Sequence, residues 1–313
     1  MAVLVMKKIC LVTYARAGEG FTKELEEISD ELFKYYGNGF KAVICCETLF
    51  DVDKYPYTIE IKLTQGTKYR RLIELMEDDD SEYYLSVDND ITGNITDLLD
   101  FVNEVIDQGM DIGWGRIRAR YTAGLISNLV AVDKLLSHDM IRPLLWKCGC
   151  GISVPGQVFC IKASVYKGNL IDLDTFLDDV ALGLYSNVHS CKRYVTKNVL
   201  GLETPNSTFK GLWMQRSRWA KGYASIYLGT KNNKQYKKLV IIHGLSYHAS
   251  WLIVWMILFG AMMMSPFLLL ALWIGLSACI ARNELNKIGY TMVYIFFSQY
   301  FILDGHLFFL TRF

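Results

Sequence analysis

The sequence lacks an excess of charge of either sign. Its 313 residues contain 33 lysines and arginines against 32 aspartates and glutamates, so the formal net charge is only +1. Nucleic-acid-binding domains usually carry a basic stripe and a clear positive charge. The charge balance therefore argues against a nucleic-acid partner.

A disulfide framework and a secretory leader are also missing. The amino terminus, MAVLVMKKICLVTY, is too short an apolar run for a membrane span and lacks the ordered regions of a signal peptide. We therefore expect the cysteines to be free thiols, packed as small apolar groups in a reducing cytoplasm. The C-G-C spacing in the middle of the chain is not that of a zinc knuckle. The eight cysteines are Cys10, Cys45, Cys46, Cys148, Cys150, Cys160, Cys191 and Cys279.

Charged residues are nearly absent from the carboxyl-terminal part. Residues 239–281 form one apolar block, and 288–310 form a second that includes Asp304 and His306. A bilayer core of about 30 Å needs roughly 20 helical residues. Ser265-Pro266 interrupts the first block, because proline lacks a donor and crowds the preceding turn. The sequence thus predicts three membrane helices, over about 240–263, 267–281 and 289–310.

Basic residues set the expected orientation of these helices. Five lysines precede the first predicted span, and Arg282 and Lys287 separate the second from the third. Basic segments face the cytoplasm by the positive-inside rule. We therefore predict a multi-pass protein of the inner or plasma membrane, with residues 1–238 in the cytoplasm. The predicted parts are a soluble domain (1–210), interface helices (211–238) and transmembrane helices (239–313).

Strand-like and helix-like patterns alternate along the soluble part. They predict strands over 8–14, 42–46, 58–63, 83–87 and 111–117, with a strand pair within 151–161. They predict helices over 19–36, 68–76, 97–108, 122–137 and 176–186. This alternation indicates an α/β fold with a mostly parallel sheet, in which ligands bind at the carboxyl ends of strands. Those ends are Thr13-Tyr14, Cys46-Glu47 and Asp88-Asn89-Asp90.

The fourth predicted strand ends in the segment SVDNDIT. Asp88 and Asp90 are two positions apart, so their carboxylates lie on the same side of an extended segment. Such a pair suits a Mg²⁺ or Mn²⁺ ion that bridges a diphosphate. A simple turn that closes the strand would use the same residue types. This segment alone leaves both interpretations open.

A second acidic pair opens the predicted helix in DTFLDDVALGLY. A carboxylate such as Asp179, held near a second acid and a cation site, can serve as a general base. Asp178 and Asp179 would equally stabilise the helix by capping it or by meeting its dipole. The local pattern favours capping.

The segment GLWMQRSRWAKGY, residues 211–223, lies just before the predicted membrane helices. On a helix, Gln215, Arg218 and Trp219 share one face. Glutamine and arginine supply donors for phosphate oxygens, and tryptophan can stack on a sugar ring. Tyr223 and Tyr227 continue the line of Trp219, so an aromatic stripe at a membrane interface is the alternative. That alternative explains the tryptophan but not the glutamine.

Together, the three motifs resemble those of a known family. Their order and spacing, from residue 8 to about 238, look like the membrane-embedded family 2 glycosyltransferases. These include cellulose, chitin and hyaluronan synthases and the nodulation chitooligosaccharide synthases. Q-x-x-R-W is the specific element of the resemblance. The resemblance implies a GT-A-type catalytic domain, a UDP-sugar donor and a Mg²⁺ or Mn²⁺ cofactor.

The resemblance also implies roles at the donor. Thr13 and Tyr14 would line the uridine pocket, and Glu47 would replace the acid that contacts the base. The residues implied at the diphosphate are Lys68 or Arg70, Asp88, Gln215 and Arg218.

Further roles are implied for the metal, the base and the acceptor. Asp90 would ligate the metal together with Asp88. Asp179 would be the catalytic base of an inverting transfer, with Asp178 in the preceding acidic position. The residues implied at the acceptor are Trp219, Gly156, Gln157 and Phe159.

Departures from the family pattern leave the product open. The chain shows no amino-terminal membrane helix and no gating loop, so a short product, a lipid-linked acceptor and a homo-oligomeric pore all stay open. Polyprenyl-phosphate glycosyltransferases share the fold but generally lack Q-x-x-R-W. A catalytically silent, membrane-anchored subunit that binds a nucleotide sugar is the alternative from another class. The expected partners are a UDP-sugar, a glycan or lipid-linked acceptor, and membrane lipids.

Overall fold

A seven-stranded sheet organises the first part of the chain. The computed structural model describes residues 8–15, 19–49 and 55–296, apart from the side chains of 248–251. The strands are β1 (Ile9–Ala15), β2 (Phe40–Cys46), β3 (Thr58–Leu63), β4 (Tyr83–Val87), β5 (Ile112–Ala119), β6 (Val158–Lys162) and β7 (Arg193–Glu203).

The sheet is mixed but mostly parallel, as predicted. Its strand order is β3-β2-β1-β4-β6-β5-β7. The four strands from β3 to β4 pair in parallel, whereas β6 runs antiparallel to both β4 and β5. Parallel pairing brings the carboxyl ends of β1, β2 and β4 to one edge of the sheet.

Two strand predictions differ from the structure. The predicted strand pair within 151–161 is wrong, because only β6 forms there. Pro155 and Gly156 break the β pattern before it. The edge strand β7 was not predicted, because its polar side chains are mostly exposed or half-buried and give no apolar alternation.

Eleven labelled helices accompany the strands in the described residues. Side chains of Thr22, Thr67, Asn94 and Thr208 cap four of them by accepting backbone N–H groups. The helices are α1 (Lys23–Tyr36), α2 (Lys68–Asp78), α3 (Ile95–Asp107), α4 (Gly124–Leu136), α5 (Arg142–Lys147), α6 (Ala163–Tyr166), α7 (Asp178–Val188), α8 (Phe209–Thr230), α9 (Lys234–Gly244), α10 (Ser250–Met264) and α11 (Pro266–Ile280).

The core around the sheet follows the predicted helical face of α1. Leu25, Ile28 and Leu32 are buried in one cluster with Ile9 and Leu11 of β1. Burying an aliphatic side chain of this size contributes about 1.5–3 kcal/mol. This packing fixes the edge of the sheet at which β1 and β4 end.

The chain divides into two compact units. The first comprises the described residues up to Ile117 together with Val154–Glu203. The second comprises Arg118–Ser153 and the described residues from Thr204 onward. The predicted boundaries at 210 and 238 divide the chain by expected role, as soluble domain, interface helices and membrane helices. They stay predictions. All eight cysteines are free, as expected.

The apolar helices of the second unit break at Ser265-Pro266, as the sequence indicated, and also at 245–249, inside the helix predicted over 240–263. Ser265 accepts the Phe267 N–H and caps α11, and a π-helical segment, Leu245–Ala249, joins α9 to α10. Within the described residues, no single helix has the length and apolarity of a membrane span. One pair bent by 43°, Lys234–Tyr247 with Leu252–Met264, reaches that length and composition together. A last helix covers 288–296, whereas Asp304, His306 and the rest of the predicted third span lie outside the described residues.

Candidate active site

One lysine connects two of the predicted acids in the first unit. Thr67 caps α2 and places Lys68 at its first residue. Lys68 Nζ donates to Asp88 Oδ1 at 2.7 Å and lies 3.4 Å from Asp178 Oδ2. It also donates to the carbonyl of Gly156. Three segments that are distant in sequence thus meet at one ammonium group.

Burial and charge act against each other at this lysine. Its Nζ lies 5.0 Å from the ring centre of Tyr14 and 5.3 Å from that of Phe159. Burial lowers the pKa of Lys68, but the carboxylates of Asp178 and Asp88 outweigh it and raise the pKa to about 12. Lys68 is therefore protonated across the physiological range.

The pKa of Asp88 is raised, which is the direction that burial of a carboxyl group favours. Burial raises its pKa, Lys68 lowers it, and the charges of Asp178 and Asp90 raise it further, so that the pKa is about 6. The Asp88-Asn89-Asp90 segment also forms the turn that the sequence allowed, with the Ile91 N–H donating to the Asp88 carbonyl at 3.1 Å. The turn is therefore confirmed, whereas metal binding by Asp88 and Asp90 stays a prediction.

The second acidic pair opens α7 without capping it. The N-cap residue of α7 is Leu177, which makes no side-chain cap hydrogen bond. Asp178 is buried and faces Lys68, and Asp179 is half-buried beside it. Side-chain capping is thus wrong for this pair, whereas both acids do lie in the first turn of α7, where they meet the positive end of its dipole.

Gly156 lies against this acidic pair. A Cβ at Gly156 would stand 3.4 Å from Asp179 Cβ and 3.7 Å from both carboxylate oxygens of Asp178. The Val154 N–H also donates to the Asp179 carbonyl at 3.4 Å. The segment before β6 therefore covers the start of α7.

The antiparallel pairing of β4 with β6 sets the neighbouring positions. The Asp88 N–H donates to the Gln157 carbonyl at 2.9 Å, and Ser86 is opposite Phe159. Phe159 is fully buried, and its ring faces the ammonium group of Lys68. The Gln157 side chain donates to Glu203 at the end of β7 at 2.8 Å.

Several buried polar atoms near the ends of β1 and β4 have no hydrogen-bond partner among the described residues. Buried polar groups in folded proteins are nearly always paired, so unpaired ones need an explanation. A polar ligand at this edge of the sheet would supply the missing partners. Thr13 Oγ1 and Asn89 Oδ1 are such atoms, and Tyr14 OH and Ser86 Oγ, which are close enough to interact with each other, have no partner beyond that in the described part of the chain.

Glu47 and Arg70 are engaged in separate ion pairs. Glu47 accepts from Nη2 of the buried Arg71 at 2.7 Å, and Arg71 Nε donates to the Gly66 carbonyl. Arg70 is exposed and pairs with Asp172 at 2.8 Å. Lys68 and Arg70 were alternatives for a role at the diphosphate. Lys68 is the one of the two that contacts Asp88.

The Q-x-x-R-W residues lie on α8 in the second unit. Gln215 Oε1 accepts from Asn206 Nδ2 at 3.1 Å. Arg218 is exposed, and Trp219 is 38% exposed. Arg216, which the sequence interpretation passed over, is buried, donates to Asp133 and stacks 4.2 Å from the ring centre of Trp219.

The helical periodicity of the sequence could have identified Arg216 as a buried residue. It shares a face with Leu212, Ala220 and Tyr223, which are all buried. An arginine on an apolar face needs an acidic partner, and Asp133 is that partner. Arg71 carries a similar signal, because it lies one helical turn before the buried Leu75 of α2.

Asp88 and Asp90 could supply two of the ligands of a divalent cation. No group of three or more His, Cys, Asp or Glu side chains within the described ranges could hold a metal ion. Asp88 and the exposed Asp90 offer two carboxylates, the type of donor that Mg²⁺ and Mn²⁺ prefer. The other ligands would have to come from a bound diphosphate and water.

The sheet order and the helices around it define a fold class. The chain has the fold of GT-A-type glycosyltransferases, as its structural neighbours show. Comparisons with protein-family models and with curated proteins give no match.

Two solved proteins illustrate the likeness. One is the mannosyltransferase PcManGT from Pyrobaculum calidifontis, in complex with GDP-Man and Mn²⁺, with 13% identity and a TM-score of 0.53 over 96% of this chain and 86% of that chain. The other is S. aureus TarS 1-349, with 12% identity and a TM-score of 0.50 over 95% and 88%. TarS 1-349 is also solved in complex with UDP. At these identities the likeness concerns the fold.

Proposed function

We propose that the protein is an inverting glycosyltransferase that moves a sugar from a UDP-sugar to a growing glycan at a membrane. The observation that carries the proposal is the meeting of Lys68, Asp88 and Asp178 at the carboxyl end of β4, within a GT-A-type fold. Carboxylates and a cation placed together at this edge suit a diphosphate donor.

The donor would lie along the ends of β1, β2 and β4. Thr13, Tyr14 and Glu47 would contact the uridine, and the hydroxyls of Thr13 and Tyr14 would gain partners there. The ammonium group of Lys68 would donate a hydrogen bond to the diphosphate. A cationic ammonium is a strong partner for phosphate oxygens.

The cofactor would be Mg²⁺ or Mn²⁺, held by Asp90 with Asp88. Such an ion offsets the charge of a departing diphosphate. The mannosyltransferase neighbour was solved with Mn²⁺, which supports this choice. Asp88 must be ionised to serve as a ligand, and the cation of Lys68 favours that form.

Asp179 would be the catalytic base. It accepts the proton of the acceptor hydroxyl, whose oxygen forms a bond to the anomeric carbon of the donor sugar from the face opposite the departing diphosphate. The bond from that carbon to the phosphate oxygen breaks, and UDP leaves with the electron pair. Asp178 would hold Lys68 in place, and Gly156 would leave room for the acceptor beside Asp179.

The acceptor assignments are carried by the sequence resemblance. Gln215 and Arg218 would bind the diphosphate, and Trp219 would stack on the acceptor sugar, with Gln157 and Phe159 lining the acceptor loop. The apolar carboxyl-terminal part of the second unit supports association with a membrane. The resemblance supports a polysaccharide or oligosaccharide product of the capsule type.

Release of UDP from a panel of UDP-sugars, in detergent with Mn²⁺, tests this function. Asp179→Asn should lower turnover about 10²-fold or more. Asp172→Asn is the matched control, since the Asp172 side chain is 91% exposed and pairs with Arg70 at the surface. Full turnover by a correctly folded Asp179→Asn protein would refute the assignment. UDP-sugar binding without turnover would favour the silent subunit, and transfer only to polyprenyl phosphate would favour the lipid-acceptor enzyme.

A further inference from the structure

Two apolar helices of the second unit expose apolar side chains in several directions, although a few residues such as Leu258 and Ile280 are buried. In α10 the exposed residues include the consecutive Trp255, Met256 and Ile257, which point in three different directions around the helix. A protein partner that packs against one helical face would leave the others in water. A helix that is apolar all round belongs in a protein core or in lipid.

Exposure increases toward the turn that joins the two helices. Met264 is 79% exposed and Phe267 is 85% exposed, whereas Ser277 and Ile280 at the far end of α11 are buried. The far end is held by packing against Leu129 of α4 and by a hydrogen bond from Trp273 Nε1 to the Met292 carbonyl at 3.0 Å. The hairpin α10–α11 therefore has an anchored base and an open apolar tip.

The charge around the hairpin has one sign. Residues 204–283 contain nine lysines and arginines and no aspartate or glutamate. Lys231, Lys234 and Lys238 are exposed at the start of α9, which leads into α10. The rest of the chain balances this charge, so the asymmetry is local. A basic surface at the base of an apolar hairpin is complementary to anionic lipid headgroups.

The length of α11 decides how far the tip can reach. Its 15 residues, Pro266–Ile280, extend about 22 Å along the helix axis. The hydrocarbon core is about 30 Å thick. Arg282 follows directly after the helix, so the chain is back at a polar surface before the tip can cross the core.

We infer that the hairpin α10–α11 is a re-entrant lipid anchor. It enters an anionic bilayer with the tip residues Met264 and Phe267 in the hydrocarbon core, and it leaves on the side it entered. The lysines of α9 meet the anionic headgroups on that side. This topology differs from the two full spans that the sequence predicts over 240–281, and it does not depend on the glycosyl-transfer chemistry.

Depth measurements on the full chain in phosphatidylcholine–phosphatidylglycerol vesicles test the topology. Met264→Cys, in a background with Cys148, Cys150 and Cys279 changed to serine, would carry a fluorophore at the tip. Leu144→Cys on α5 is the control, because Leu144 is exposed but lies outside the hairpin. We expect acyl-chain nitroxides to quench the tip label and not the control. We also expect that a membrane-impermeant maleimide reaches residue 144 but reaches residue 264 from neither side.

The alternative outcomes are distinct. Labelling of residue 264 from the side opposite to residue 144 would show a full span and overturn the re-entrant topology. Labelling from the same side, without quenching and with concentration-dependent self-association, would show a protein partner instead of lipid.

Charge substitutions give a second readout in vesicle flotation. Phe267→Asp should weaken vesicle binding on the order of a hundredfold, because an aspartate in the hydrocarbon core is costly. Leu144→Asp makes the same change outside the hairpin and should leave binding unchanged. Lys234→Gln should weaken binding to the anionic vesicles about fivefold and leave binding to neutral vesicles unchanged. Equal binding of Phe267→Asp and Leu144→Asp would overturn the anchor, whatever the protein transfers.

Discussion

Lys68, the first residue of α2, reaches across to Asp88 at the end of β4 and donates to its carboxylate at 2.7 Å. The same ammonium is 3.4 Å from Asp178, which opens α7. Two carboxylates of the candidate site are therefore held by one internal cation. A diphosphate or a divalent ion that binds these acids would compete with this contact, so Lys68 is placed to respond to such binding.

Replacing Lys68 by methionine should weaken both the fold and donor binding. The change leaves Asp88 and Asp178 without their shared cation, and losing a hydrogen bond to a charged group costs about 1.5–3 kcal/mol of unfolding free energy. Calorimetric titration with UDP should show weaker binding. Lys62→Met is the control, since Lys62 pairs with the exposed Asp78 on the surface. Unchanged UDP affinity in a folded Lys68→Met protein would remove Lys68 from the donor site.

Metal binding should fall as the pH drops through about 6. Burial is the main cause that raises the pKa of Asp88 to about 6, and protonation removes its charge as a ligand. Because the pKa is higher in the folded state, Asp88 adds stability below the pKa of the unfolded state, and this contribution is lost as the pH rises through 6. Mn²⁺ titrations followed by electron paramagnetic resonance on both sides of pH 6 measure the first effect. Mn²⁺ affinity that does not vary with pH would contradict it.

A methyl group at Gly156 should impair turnover without unfolding the protein. The added Cβ would make an ordinary contact with Asp179 Cβ at 3.4 Å, so stability should change by no more than about 0.5 kcal/mol. Room for an acceptor beside Asp179 would shrink, and kcat/KM should fall. Gly20→Ala has no atom within 4 Å of the added Cβ and is the control. Equal kcat/KM values for the two variants would place the acceptor elsewhere.

The two arginines of the QRSRW segment should behave differently. Arg216→Gln removes the buried partner of Asp133 and the stacking contact to Trp219, so the unfolding free energy should fall by about 1.5–3 kcal/mol. Arg218→Gln changes an exposed side chain, so stability should stay the same while turnover falls. Thermal unfolding and UDP release measure the two effects. A destabilised Arg218→Gln protein with a stable Arg216→Gln protein would reverse the assignment.

The fold and the acidic residues could be predicted because their signals are local. The strand over Tyr83–Val87 and the residues that follow it were predicted with the bounds that the structure gives. The start of α2 at Lys68 was predicted from its helical pattern, and the structure shows Thr67 there as the N-cap. These patterns depend on two-residue and helical periodicity, which act over a few residues.

Other features depend on contacts between distant parts of the chain. The pairing of Lys68 with both acids, of Arg71 with Glu47 and of Gln157 with Glu203 joins residues 20 to 110 positions apart. Capping was favoured at Asp178 because the sequence shows the helix but not the lysine opposite it. The edge strand β7 gave no apolar alternation, because an exposed strand needs none.

The antiparallel pairing of β4 with β6 also determines where the chain can accept an insertion. Val87 is opposite Val158, so one extra residue inside β6 would exchange the faces of Phe159 and Cys160 and move the segment that covers Asp179. The mostly exposed stretch 167–174 lies outside that register. Insertions there would leave the pairing of β4 with β6 unchanged, but they would disturb Ile171 and Asp172, which contact Tyr69 and Arg70 next to Lys68 on α2.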